Sequence, residues 1–171
     1  MNNIMLTQRE AEILIAMKKM FVATQNPVVL NESFDEKFVL ISENKQEHFI
    51  LDVKQGRIDL SKLRYQNRYE ETIPLVRFDS TGIHENPDGT KINGAHIHIY
   101  REGYADKFAV QASDFLDSRN LLDVLKKFCD YCNIEQKRFA YQSINSSAKG
   151  GKRKWKIYLL KIILIGLEKM F

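Results

Sequence analysis

The apolar positions along this chain change their spacing twice, and the changes divide it into elements. Between Gln8 and Val22 they recur at Ile13, Leu14, Met17, Met20 and Phe21, the spacing of one helical face. Thr7 and Glu10 form the T-x-x-E capping box that opens such a helix, and Asn26-Pro27 marks its end. Beyond that point the period falls to two. Phe38 to Leu40 and Phe49 to Val53 read as two strands of a hairpin about a polar turn from Ser42 to Glu47. Ile58 to Leu63, after a turn at Gln55-Gly56, is a third extended segment. Tyr65 to Thr72 is polar and reads as a loop or a ragged strand. Leu75, Val76 and Phe78, after Pro74, form a fourth strand. Asn86-Pro87-Asp88-Gly89 is the strongest turn in the chain, since Pro presets φ and Asp-Gly tolerates positive φ. Ala95 to Arg101 alternates, and Phe108 to Val110 closes the sheet. A second helix opens at Asp114 or Ser118 and carries Leu121, Leu122, Leu125, Phe128 and Cys129 on one face. Arg138 to Ile144 is a candidate last strand.

This order predicts an α+β fold: a meandering antiparallel sheet of about five strands with flanking N- and C-terminal helices and a basic C-terminal tail. Residues 1–145 are expected to form a single α+β domain, with 146–171 a Gly/Ser/Lys linker and amphipathic tail. The absence of alternating βαβ units and of a phosphate loop argues against a nucleotide-binding α/β fold.

Charge changes the picture at one end. The chain of 171 residues carries a net charge of +4. From Lys149 onward seven Lys or Arg face only Glu168, a net of +6, so residues 1–148 are net −2. Such a tail is an electrostatic handle for nucleic acid or an anionic surface, or a solubilising appendage. Lys152, Arg153, Lys154 and Trp155 are its candidate contacts. The following IYLLKIILIGL allows contact with a membrane surface, although a helix packing back on the domain is the plainer reading. The opening residues lack the apolar core of a secretory signal, and no run reaches the ~20 apolar residues of a transmembrane helix. With only Cys129 and Cys132, a disulfide framework is not indicated, and a cytoplasmic setting is expected. The pair lies late in a helix and reads as core thiols.

The candidate chemistry lies between Pro74 and Tyr104, which hold three of the four histidines. If Asp88-Gly89 is a two-residue loop, Asp79 falls opposite His98, Thr81 opposite His96 and Arg77 opposite Tyr100. One face of the sheet then carries Arg77, Asp79, Thr81, His96, His98 and Tyr100, while Val76, Phe78, Ile97 and Ile99 face the core. Three chemistries fit that face. A carboxylate beside histidine suits general acid–base work. Two histidines with Arg77 on the phosphate suit RNA phosphodiester cleavage, with Asp79 as orienter. His96 and His98 also have the spacing to share a metal ion with Asp79 or His84 as third ligand. The plain alternative is a solvated polar face. No cofactor is indicated and no metal is assigned. Arg64, Tyr65, Arg68 and Tyr69 interleave cations with aromatics, as do Arg101, Tyr104, Lys107 and Phe108, a pattern that can stack bases and neutralise phosphates.

The segment RFDSTGIHENPDGTKINGAHIHIYREGYADKFA resembles a family of small, largely uncharacterised proteins of phages and mobile elements in Gram-positive bacteria. It shares R-x-D, then H-x-N-P-D-G, then H-x-H-x-Y-R-E-G-Y. The resemblance implies a protein of the bacterial host cytoplasm that acts on host systems. The expected function is inhibition of a type II CRISPR RNA-guided nuclease by binding the nuclease–guide RNA complex. The alternative is a small ribonuclease using His96 and His98, with guide RNA as a candidate substrate.

Overall fold

A computed structural model describes residues 5–23, 28–116, 121–137 and 139–142. Helix α1 (Gln8–Ala16) leads into strand β1 (Lys19–Phe21). Strands β2 (Val28–Asn31), β3 (Asp35–Ser42), β4 (His48–Gln55), β5 (Leu63–Tyr69) and β6 (Ile73–Asp79) follow, then a small hairpin of β7 (Ile83–Glu85) and β8 (Lys91–Asn93). Strands β9 (His96–Ile99) and β10 (Ala109–Gln111) complete the main sheet. A 3₁₀ turn at Ser113–Leu116, helix α2 (Leu121–Tyr131) and β11 (Phe139–Gln142) end the described chain. The main sheet is antiparallel and seven-stranded, in the order β1-β3-β4-β5-β6-β9-β10. It is the expected meander, but with more strands than the five read from the sequence.

Strict alternation gives the sheet two chemically different faces. Phe49, Leu51 and Val53 of β4, Tyr65 of β5 and Phe78 of β6 are all fully buried. Helix α2 and the 3₁₀ turn before it cover this side: Phe128 of α2 packs 5.8 Å from Tyr65, and Phe115 of the turn stacks 4.9 Å from Phe78. The other face carries a polar row. Lys54 pairs with Arg64, Arg64 with Asp79, and Asp79 with His96, each across one strand boundary. Pro74 lies inside β6, where the register to β5 shifts at Asn67/Arg68, a place where a missing N–H is tolerated.

Several boundaries differ from the expected ones. The capping box forms as predicted, with the Glu10 carboxylate accepting from the Thr7 N–H at 2.8 Å. Helix α1 ends at Ala16, not Val22, because Met17 turns to extended backbone and the chain enters β1. Lys19 then occupies a fully buried position where its Nζ donates to the carbonyls of Ile15, Met17 and Cys132 at 2.8–2.9 Å. The third strand is Leu63–Tyr69 rather than Ile58–Leu63, and Ile58 is fully exposed in the turn before it. Strand β2 was not foreseen, since it is completed by a parallel pairing with β11 more than a hundred residues on. The candidate tail contacts Lys152, Arg153, Lys154 and Trp155 lie outside the described residues. Among the described residues, no helix is long and apolar enough to cross a membrane.

Candidate metal centre

The hairpin from β6 to β9 does not run in one register. At the β7–β8 tip, Ile83 pairs with Asn93 and Glu85 with Lys91, one residue off a two-residue Asp88-Gly89 loop. Gly82 and Gly94 then take positive φ (118° and 95°) and are joined by a 2.9 Å hydrogen bond, and the register slips by one more. The result pairs Asp79 with His96 and Arg77 with His98, replacing the expected Asp79–His98, Thr81–His96 and Arg77–Tyr100 pairs. Two slips of one residue cancel in parity, so Arg77, Asp79, His96 and His98 still share one face.

That face is not solvated at this point. His98 is fully buried, His96 is 4% exposed and Asp79 is 7% exposed. The β7–β8 hairpin folds over them. Asn86 fastens it by a pair of bonds to the backbone of β10, its Nδ2 donating to the Ala109 carbonyl at 3.0 Å and its Oδ1 accepting from the Ala109 N–H at 2.8 Å. This brings half-buried His84 against the other two rings, at centroid distances of 4.5 Å to His98 and 5.7 Å to His96. One ring nitrogen from each of His84, His96 and His98 lies within 4.8 Å of the others.

Each ring is oriented by a backbone carbonyl. His96 Nδ1 lies 2.7 Å from Gly94 O, His98 Nδ1 2.8 Å from Asp106 O, and His84 Nε2 2.9 Å from Lys107 O. A carbonyl only accepts, so each of these nitrogens carries a proton, which selects the tautomer whose opposite nitrogen bears the lone pair. The Nε2 atoms of His98 and His96 stand 3.6 and 3.9 Å from Asp79 Oδ2. Arg77 ties the group together: its Nε donates to Asp79 at 3.0 Å, its Nη1 to Asp106, and its Nη2 lies 2.9 Å from His98 Nε2. Arg64 Nε holds the other oxygen of Asp79 at 2.6 Å.

The electrostatics follow from these neighbours. Burial opposes the charge on Asp79, yet the hydrogen bonds and charges of Arg64 and Arg77 outweigh it and hold its pKa below the ordinary carboxylate value. Burial, and then the Arg77 cation, push His98 down to about 4. His98 is therefore a neutral imidazole with a lone pair at neutral pH.

The other sequence candidates scatter. Tyr65 is fully buried in the core, and Tyr69 donates to Glu47 at 2.6 Å. Arg68 grips Asp52 with two nitrogens, at 2.6 and 3.0 Å. The Arg64–Tyr69 run thus divides between the two faces instead of forming a stacking surface. Tyr100 is not on the histidine face: it is 3% exposed, within the hydrophobic core, and its hydroxyl donates to Leu6 O at 2.8 Å. Arg101 does keep its aromatic company, 3.9 Å above the Phe108 ring, which meets Tyr104 edge-on. Cys129 and Cys132 are free, buried thiols whose pKa values burial raises, as core thiols require. Asp106 and Asn86 were missed. Both act through loop and hairpin placement, which leaves no spacing signal.

Searches of curated proteins and of solved structures return no match. A family model matches residues 6–134, a span that holds the whole histidine cluster. The chain belongs to DUF6978, a family of unknown function.

Proposed function

We propose that this chain is a metal-binding protein that holds one divalent transition cation at His84, His96 and His98, with Asp79 as a fourth donor. The observation that carries the reading is the approach of three histidine nitrogens to within 4.8 Å of one another. The carbonyl held by one nitrogen of every ring supports it, because it leaves the other nitrogen to ligate, as imidazoles oriented from behind do. Imidazole with one carboxylate suits zinc and its neighbours, whereas calcium and magnesium prefer all-oxygen sites. Nitrogens sharing a tetrahedral zinc at ~2.0–2.1 Å stand roughly 3.4 Å apart, so binding draws the rings together by about 1 Å. His84, on its two-stranded hairpin, is the ligand best able to move. Arg77 Nη2 must leave His98 Nε2, while its bonds to Asp79 and Asp106 can persist.

The test is a titration of chelator-stripped, tag-free protein with zinc and with cobalt(II). The expected result is one ion per chain and the visible absorption of tetrahedral cobalt. His84→Ala, at a half-buried position, is expected to keep the fold and weaken binding by ~100-fold or more, since one of few donors is lost. No saturable binding of either ion would sink the reading.

A second reading rests on the sequence: a phage or mobile-element inhibitor of a type II RNA-guided nuclease. It is favoured by the resemblance through the Pro74–Tyr104 region and by the +6 charge from Lys149 onward. Titrating the protein into an assembled nuclease and following DNA cleavage tests it. A guide RNA shortened in the same tubes would point instead to ribonuclease action. For that chemistry His96 is the better placed of the strand pair, because His98 is wholly buried and Arg77 already has three partners.

A further inference from the structure

One strand away from the histidines, the same polar face opens into a cavity of about 200 Å³, lined by Lys54, Lys62, Arg64, Asp79 and Thr81 together with the start of the β4–β5 turn. Three cations face one carboxylate there, and that carboxylate is already bound by Arg64 and Arg77. The turn is closed tightly: the Gly56 N–H donates to Lys62 O at 2.8 Å, and a Cβ on Gly56 would stand 2.4 Å from Asp59 O. Lys62 is thus held beside Lys54 by backbone.

We propose that this cavity binds the phosphate group of a ligand, with Lys62, Arg64 and Thr81 as its donors. Each has hydrogen-bonding capacity to spare among the described residues. Arg64 spends only Nε on Asp79, leaving the two terminal nitrogens of its fork; among the described residues neither the Lys62 ammonium nor the Thr81 hydroxyl makes a hydrogen bond, and the Lys62 charge acts only on the exposed Asp59. A guanidinium fixed at one nitrogen presents the planar fork that matches two phosphate oxygens, and neighbouring ammoniums supply the charge. Lys54 is partly neutralised by Asp35 at 2.7 Å and contributes mainly field. Size narrows the ligand. Sites for whole drug-sized molecules run to ~300–1,000 Å³, so this cavity takes a phosphate or a phosphoester head and leaves the rest of the ligand outside. The site does not depend on the metal reading, although Asp79 borders both.

Calorimetric titration of the metal-stripped full chain with inorganic phosphate and with glycerol 3-phosphate, against chloride at matched ionic strength, tests the proposal. The expected result is saturable one-to-one binding, weakened about tenfold in Lys62→Gln and less in Thr81→Val, with His84→Ala unaffected. Tighter binding of the ester than of free phosphate would identify a phosphoester ligand, and equal binding the free anion. Absence of saturable binding, or affinity unchanged in Lys62→Gln, overturns it. Phosphate that binds only with zinc present, and is lost in His84→Ala, would be a metal ligand, which also overturns it while leaving the metal centre standing.

Discussion

Replacing Lys19 by Met keeps the length of the side chain and removes three hydrogen-bond donors from a fully buried position. The Cys132 carbonyl would be left buried, and the Ile15 and Met17 carbonyls partly buried, each now 2.8–2.9 Å from Nζ. A contact with the face of Phe49, at 4.8 Å, is lost as well. An unsatisfied buried acceptor costs about 1–3 kcal/mol, so a mid-range value for Cys132 with roughly half a kcal/mol for each partly buried carbonyl gives ~3 kcal/mol. For a domain of this size that lowers Tm by on the order of 10 °C. The matched control is Lys18→Met, one residue earlier. Lys18 pairs with Glu43 at 3.0 Å, but both side chains are more than half exposed, and the change should stay within about 0.5 kcal/mol. Urea unfolding of the three proteins measures the difference. A Lys19→Met variant within ~1 kcal/mol of the parent would refute the reasoning. The pH dependence gives a second readout. Burial pushes Lys19 from 10.5 down to about 8. Below about 8 both states carry the proton. Between about 8 and 10.5 the unfolded chain binds a proton that the folded chain releases, so the contribution of Lys19 to stability rises with pH. The gap between parent and Lys19→Met should therefore widen from pH 8 to 10. Taking the gap cancels Cys129, whereas Cys132, which the Lys19 charge lowers in the parent alone, adds to the widening.

Three further outcomes are expected. Tyr100→Phe strips the donor from the buried Leu6 carbonyl and should cost about 1 kcal/mol in urea unfolding, with metal and phosphate binding intact. Gly56→Ala places a methyl 2.4 Å from backbone Asp59 O, so the turn must shift; a loss of about 1–3 kcal/mol and weaker phosphate binding are expected by unfolding and calorimetry. Thr7→Ala removes the capping box and should cost about 1 kcal/mol, with reduced helix signal in circular dichroism.

Local chemistry was legible in the sequence where it is decided locally. The Thr7–Glu10 box opens α1, and the alternation of His96, Ile97, His98 and Ile99 assigns the two faces of β9. Register was not legible, because one slip arises at the β7–β8 tip and a second where Gly82 and Gly94 meet, and the Asp88-Gly89 motif announces neither. The face survived because the slips cancel in parity. Burial of that face was missed for a related reason: it is created by a hairpin folding back through Asn86, a long-range contact. Lys19 misled the helix boundary, since a lysine in an amphipathic run reads as solvated until the carbonyls that cage it are assembled from α1 and α2. Tyr100 kept the strand alternation in sequence and was drawn into the core by the Leu6 carbonyl.

The most direct test of the metal centre is the metal content of the full chain after dialysis against one equivalent excess of zinc, set beside the same measurement on His84→Ala. One tightly held zinc per parent chain, and none on the variant while its fold persists, is the expected result. A parent chain that retains no zinc, or a variant that retains as much as the parent, would contradict it.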